Sequence, residues 1–298
     1  SIARAETAFA NHNLYTDNSV AKVQSAYDHL QEVITKAGDA KAHVTAAIAM
    51  IDYWLQGIDT SNVTSAYSLY ADMDIASTTT AYTTAGYQSV TRDTVYDSAR
   101  GYGLESAYAD DRSAGRNRGT GNSLLDDWFF AGTFKADLPA GNYKVTYYSG
   151  DLMSGCKAKS QLTVKDAVGT TLAENEAVTA ASAGYTCRDL DFTVAQAGTI
   201  DFTFGGYYNA VLIEQITPVT MEKVSLDELQ SLVSELEGKN LKESDYTVSS
   251  WEAYADAMAG AKEILGKGVA YVQKYTKALD ALNQSYSGLI PRSLIREY

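Results

Sequence analysis

The two ends of this chain repeat each other, and that limits what it can fold into more than any other feature. Shifted by 231 positions, the N-terminal segment lies on the C-terminal one without a gap. Tyr15-Thr16 falls on Tyr246-Thr247, Ser19 on Ser250, Ala26 on Ala257, Ile34 on Leu265, Ala47 on Ala278, Ile48 on Leu279, Ile51 on Leu282 and Ile58 on Leu289. Agreement sustained at a fixed offset marks one structural unit used twice. Both copies are helical in period: Val20, Val23, Tyr27, Leu30 and Ile34 form one apolar stripe, and Val44, Ile48, Ile51, Leu55 and Ile58 a second. The later copy answers with Trp251, Tyr254, Met258, Ala261 and Leu265, then Val272, Tyr275, Leu279, Leu282, Tyr286 and Leu289. A preceding helix is clear only there, over Leu226, Leu229, Leu232, Val233 and Leu236, so each copy reads as a three-helix unit. The start of the chain, already inside a helical pattern, suggests a segment of a longer protein.

Between the ends the period changes to two. Phe134, Ala136 and Leu138 run into the turn Pro139-Ala140-Gly141-Asn142, and Tyr143, Val145 and Tyr147 continue beyond it as a hairpin. Leu162 and Val164 precede a turn at Val168-Gly169; Leu190, Phe192 and Val194 run into Ala197-Gly198, with Ile200, Phe202 and Phe204 returning. The run 210–216, AVLIEQI, reads as a strand buried on both faces. Short antiparallel strands with turn signals between them predict a two-sheet sandwich.

A net charge of −13, with no basic stripe to offset it, excludes nucleic acid and anionic lipid as partners. No apolar run approaches the roughly 20 residues that span a bilayer, so membrane insertion is excluded too. Tyrosine, at 22 copies, far outnumbers the 7 Phe and 3 Trp, as in secreted proteins that touch polar ligands. Cys156 and Cys187 lack metal spacing; in an exported protein they would form one disulfide, and otherwise they are two reduced thiols.

The stretch DYTVSSWEAYADAMAGAKEIL and the final helix YVQKYTKALDALNQSYSGL resemble FIVAR repeats, found in large bacterial surface proteins and secreted glycan-degrading enzymes. The first copy keeps Tyr15, Thr16 and Ser19, with Val20 in place of the Trp. Such repeats imply spacing or stiffening, with their hydroxyls capping a helix start. The central order AGYQSVTRDTVYDSARGYGL, RNRG, LLDDWFFAGTFKADLPAGNYKVTYYSGD and GGYYNAVLIEQI resembles the galactose-binding-like jelly-roll modules of bacterial polysaccharide lyases, rhamnogalacturonan acetylesterases and related enzymes. That resemblance implies carbohydrate binding, often beside a structural calcium ion, and a ligand contact from an asparagine just before the last strand, the position of Asn209. The expected fold is therefore multidomain α and β: a helical repeat over 1–61, an antiparallel β-sandwich of galactose-binding-like jelly-roll type over 62–220, and a three-helix repeat over 221–298.

Sugars alternate hydroxyls with C–H faces, so their sites combine planar donors with aromatic rings. The loop RGYGLESAYADDRSAGRNRG offers Tyr102, Arg116, Asn117 and Arg118; Tyr207, Tyr208 and Asn209 stand before the last strand, and Trp128 opens an earlier one. An arginine would also suit a uronic acid carboxylate through a two-point hydrogen bond. Each has a plainer reading. Arg116 and Arg118 pair with Asp110, Asp111, Asp126 or Asp127; Tyr102 and Tyr208 pack partly into the sandwich; Trp128 belongs to the core. Asp72, Asp74 and Glu214 either coordinate calcium or are ordinary acids. All three histidines, His12, His29 and His43, fall in the first repeat, which leaves the sandwich without a Ser-His-Asp arrangement. The expectation is a non-catalytic carbohydrate-binding module of a secreted or cell-surface bacterial glycan-degrading enzyme, taking a uronic-acid- or galactose-containing polysaccharide and joined to a larger parent polypeptide. The alternative is a structural or adhesive spacer without a sugar ligand.

Overall fold

The computed structural model of the chain describes residues 1–37, 41–56, 58, 63–74, 83–109, 115–118, 122–218, 223–270 and 272–294. Helices α1 (Ile2–Ala10), α2 (Asp17–Ala37) and α3 (Lys41–Gln56) come first. The strands follow as β1 (Val63–Asp74), β2 (Gln88–Thr91), β3 (Tyr102–Leu104), β4 (Gly115–Asn117), β5 (Asp127–Leu138), β6 (Gly141–Gly150), β7 (Lys159–Ser160), β8 (Leu162–Lys165), β9 (Thr171–Glu174), β10 (Val178–Thr179), β11 (Tyr185–Val194), β12 (Gly198–Tyr208) and β13 (Ala210–Pro218). Helices α4 (Asp227–Gly238), α5 (Val248–Lys267) and α6 (Val272–Ser287) close the chain. Among the described residues no helix is long and apolar enough to cross a membrane.

The alternating segments form two facing sheets, one ordered β11-β6-β13-β1-β2 and the other β3-β5-β12-β8-β9, with β4 pairing β5. The turns expected after Leu138 and Val194 are there, but they do not close hairpins: β5 and β6, like β11 and β12, lie in opposite sheets, so each turn carries the chain across the sandwich. The strands pair instead as β12 with β5 from Gly198↔Leu138 and β11 with β6 up to Val194↔Gly141. Inward-facing Phe129, Phe134, Tyr143, Tyr147, Phe202, Phe204 and Tyr208 fill the space between the sheets. Burying side chains of this size contributes roughly 1.5–3 kcal/mol each, enough to fix the register of both layers. The Gly-Tyr-Gly at 101–103 has a backbone cause. Gly103 has φ +147°, and a Cβ there would lie 2.6 Å from the Tyr96 backbone nitrogen.

The chain divides into two compact units. One comprises Ser1–Ala5, Ala21–Gly57 and Val63–Thr217; the other comprises Glu6–Val20, Ile58–Asn62 and Pro218–Tyr298. The boundary expected between residues 61 and 62 is therefore not where the packing divides. Residues 21–37 and 41–56 cover the outer face of the first sheet: Trp54 Nε1 donates to Tyr148 Oη at 3.2 Å, Tyr185 Oη donates to the Ala46 carbonyl at 3.2 Å, and Lys22 pairs with Glu214. This cover is why Val211, Leu212, Ile213 and Glu214 of β13 are all buried, as the two-faced pattern predicts.

The repeat is visible in the elements themselves. Three-residue 3₁₀ turns stand at His12–Leu14 and Glu243–Asp245, α2 and α5 begin at Asp17 and Val248, and α3 and α6 run Lys41–Gln56 and Val272–Ser287, all at the sequence offset. The hydroxyls Thr16 and Ser19 meet at 2.6 Å, and Thr247 and Ser250 at 2.8 Å. Only in the first copy does the threonine oxygen also cap the helix, accepting from the Ser19 backbone N–H at 3.3 Å. The copies part where they pack. Lys22, His29, Met50 and Trp54, which face the sheet, correspond to Ala253, Gly260, Ala281 and Ser285. The later copy lacks the bulk that would cover a sheet.

In the second unit, α4, α5 and α6 share a core of Leu229, Val233, Leu236, Tyr254, Met258, Ala261, Ile264 and Leu282. Residues from 6–20 join it: His12 pairs with Glu263 at 2.5 Å, and Asp17 with Lys274 and Lys277. The two cysteines are free. Cys187 lies on β11 opposite Tyr148, where burial pushes its thiol pKa up, whereas Cys156 sits 3.9 Å from Arg118 Nη2. The disulfide expected of an exported pair is not formed.

Candidate functional site

One corner of the sandwich brings several of the expected residues together. Strand β4 lies along the start of β5, placing Arg116 opposite Trp128 and Asn117 opposite Asp127. On the other side of β5 the end of β12 sets Tyr207 opposite Phe130. A bulge between Phe204 and Tyr207 makes that register possible. It needs Gly206, where a Cβ would come within 2.1 Å of the Lys159 carbonyl oxygen.

The result is a short aromatic strip with cations beside it. Tyr207 packs 4.4 Å from Trp128 and 5.3 Å, edge-on, from Phe130, and the Arg116 guanidinium lies 6.0 Å from the Trp128 ring centroid. Phe130 is 42 % exposed and Tyr207 half-buried, so both rings reach solvent. Trp128 is buried, yet its indole N–H has no hydrogen-bond partner, which is unusual for a buried donor. Burial, then the charges of Asp151 and Cys156, push the Tyr207 hydroxyl pKa up, while Arg118 and Arg116 pull it down.

Arg118 is held by a carboxylate absent from the expected partners. Its Nε and Nη2 donate to Asp151 at 3.1 and 2.5 Å, and the Met153 backbone N–H donates to the same carboxylate at 3.0 Å. Burial would raise the pKa of Asp151, but the Arg118 fork and the Met153 N–H hold it below its ordinary value. Beside this pair opens a hollow of about 260 Å³, lined by His43, Arg118, Leu125, Leu152 and Met153.

Other expected residues lie elsewhere. Tyr208 is fully buried, its hydroxyl 2.6 Å from that of Tyr108, so it offers a ligand no surface. Asn209 is also fully buried. Its Oδ1 accepts from the Gly150 N–H and its Nδ2 donates to the Asp127 carbonyl, both at 2.7 Å. It therefore ties two backbones together and does not face the rim. Tyr102 pairs with Ala136, eight residues along β5 from Trp128 and so about 26 Å away, with the Arg100 guanidinium 5.2 Å over its ring. Asp110 and Asp111 lie outside the described residues, and the side chain of Asn117 is not described. Sequence reasoning missed Phe130, Asp151, Met153 and His43. The Gly-Asp pair closing β6 was a usable signal for Asp151, but nothing in the sequence links His43 on α3 to this corner.

The acids proposed for calcium separate into two places. Glu214 accepts from Lys22 Nζ and, at 2.6 Å, from Tyr70 Oη, so its oxygens are spent. Asp72 Oδ2 accepts from the Thr84 N–H at 2.6 Å, and Asp74 Oδ2 from Thr83 Oγ1 at 2.6 Å and from Ser89 Oγ. The Oδ1 atoms of both aspartates are buried without a hydrogen-bond partner. Burial, and then the Asp74 charge, raise the pKa of Asp72 well above its ordinary value; burial raises that of Asp74. Two buried carboxyl oxygens without donors would suit a cation, which would also offset the cost of ionising them there, whereas Glu214 does not fit as a third ligand. Among the described residues no cluster of three or more His, Cys, Asp or Glu side chains forms a metal site.

Neither a family model nor a curated protein matches the chain. Solved structures similar to it include protein YXIM of Bacillus subtilis, at 18% identity over 51% of this chain and 41% of that one, with a TM-score of 0.34. A structure containing the CBM51-2 and INT domains of Clostridium perfringens ZmpB, in complex with GlcNAc, is 16% identical over 56% of this chain and 37% of that one, TM-score 0.28. The carbohydrate-binding module CBM6cm-2 of Cellvibrio mixtus lichenase 5A, in complex with cellotriose, is 24% identical over 30% of this chain and 70% of that one, TM-score 0.21. The chain thus spans less than half the length of the first two.

Proposed function

We propose that the sandwich binds a glycan at the corner formed by Arg116, Trp128, Phe130 and Tyr207, as a non-catalytic module of a secreted or cell-surface glycan-degrading protein. The observation that carries this reading is the aromatic strip of Tyr207 and Phe130, open to solvent beside the Arg116 guanidinium. It joins a C–H-binding face to planar donors on rigid strands. The polysaccharide class is one containing uronic acid or galactose, and helices α4–α6, whose sequence resembles FIVAR repeats, space the module from a larger parent polypeptide. Binding of the full chain in affinity gels cast with candidate polysaccharides tests the reading. Tyr207→Ala and Arg116→Ala are each expected to weaken retention about tenfold, roughly 1.4 kcal/mol. Retention unchanged in both variants would remove this corner from the site.

The bidentate lock of Arg118 on Asp151, together with the burial of Tyr208 and Asn209, favours a second reading in which the sandwich is a spacer. A spacer gives no heat in calorimetric titration with any glycan.

We also infer that Asp72 and Asp74 hold a calcium ion, on the strength of their buried, unpartnered oxygens. Saturating calcium is expected to raise the melting temperature, since a ligand at 100 times its Kd stabilises by about 2.7 kcal/mol. Asp72→Asn with Asp74→Asn should erase the shift. Equal melting curves of the parent chain in calcium and in chelator would refute the assignment.

A further inference from the structure

We propose that the hollow beside Arg118 receives the acetyl group of an acetylated sugar, carried as an acetamido group or as an acetyl ester, an inference that deepens the glycan reading and rests on it. At about 260 Å³ the hollow falls just short of the roughly 300 Å³ at which pockets begin to enclose drug-sized ligands. It suits one substituted sugar ring and no more. Its walls are of two kinds. Leu125 and Leu152 are buried apolar residues, and Met153, 48 % exposed, forms the lip. A hydroxyl pressed against them would give up water without gaining a hydrogen bond, whereas a methyl group gains by leaving water.

The polar wall selects a neutral acceptor. Arg118 has five N–H donors in a rigid fork, and Asp151 fixes its plane by occupying Nε and Nη2, which leaves the Nη1 donors beyond that pair. The Arg118 charge is balanced by Asp151, whose carboxylate is fully buried. A uronate entering here would meet a second carboxylate across the same guanidinium, and like charges repel. A carbonyl oxygen accepts the same hydrogen bond without that repulsion. His43 adds no positive charge at neutral pH, because burial, opposed by the Asp126 charge, leaves its pKa below the ordinary value. Methyl on the leucine side and carbonyl on the guanidinium side is the pattern of an acetyl group. Helix α3, through His43, then supplies part of the ligand site and is more than a spacer.

The test measures affinity of the full chain by calorimetry for matched probes. These are N-acetylglucosamine and N-acetylgalactosamine oligosaccharides against their glucose and galactose counterparts, and O-acetylated against de-esterified xylan and pectin. A tenfold or greater preference for acetylated probes is expected. The two arms show whether the amide or the ester is the carrier. Met153→Asp, at an exposed lip position where folding can be checked by circular dichroism, should cut the preference below threefold. Glycan binding with no preference for acetyl groups overturns this inference and leaves the glycan reading standing. Preference unaltered by Met153→Asp overturns the placement at this hollow. No binding to any probe overturns both readings.

Discussion

Replacing Glu214 by Gln is expected to destabilise the sandwich unit by about 3–5 kcal/mol, seen as a lower urea midpoint with an unchanged slope. Lys22 and Glu214 have side-chain exposures of only 10% and 5%, and the ammonium also lies 5.1 Å from the Trp54 ring centroid and 5.7 Å from that of Tyr70. The carboxylate balances a charge that has lost nearly all its water. An amide of the same shape leaves it uncompensated, and burial already lowers the Lys22 pKa. The double replacement Lys22→Met with Glu214→Leu should recover most of the loss, since a well-packed apolar pair matches or exceeds a buried ion pair. Trp54 fluorescence reports the transition. A loss below 1 kcal/mol in Glu214→Gln would mean that the pair is hydrated.

Asn209→Ala is expected to cost about 2–5 kcal/mol and to weaken glycan binding along with it. The substitution removes the acceptor of the buried Gly150 N–H and one donor to the Asp127 carbonyl, in a dry interior where an unmet group costs about 1–3 kcal/mol. Those two groups adjoin Asp151 and Trp128, which set the position of Arg118 and of the aromatic strip. Asn209 is thus a positioning residue whose variant loses midpoint and affinity together. A residue that merely touched sugar would lose affinity with its melting temperature unmoved, and that result would return Asn209 to the ligand surface.

Much of the sandwich was legible because its signal is local. Phe134, Ala136 and Leu138, then Tyr143, Val145 and Tyr147, specify two strands and the turn between them from alternation and turn residues alone, whereas their placement in opposite sheets instead of a hairpin depends on pairing with the distant β12 and β11. The repeat was legible for the same reason, down to paired hydroxyls at equivalent helix starts. Helix α1 and the short strands β2, β3 and β4 were not, since segments of three or four residues carry no period and the first copy's leading stripe is weak. Least legible were choices made between distant segments. Lys22 meets Glu214 across 192 positions, and that single contact removes Glu214 from the acids around Asp72. Asn209 was expected at the rim because it precedes the last strand, but a bulge and two backbone partners turn it inward. For the site, residue types were readable and accessibility was not. Arg116, Trp128 and Tyr207 do converge, while Tyr102 and Tyr208 do not.

The helical roof over β13 has a consequence for anyone dividing this chain. A fragment starting at residue 62 would carry every strand and yet leave Tyr148, Leu212 and an orphaned Glu214 facing water on a broad, sticky plane. The smallest portion able to stand by itself therefore has to begin upstream, with the helices that the repeat lends to its neighbour.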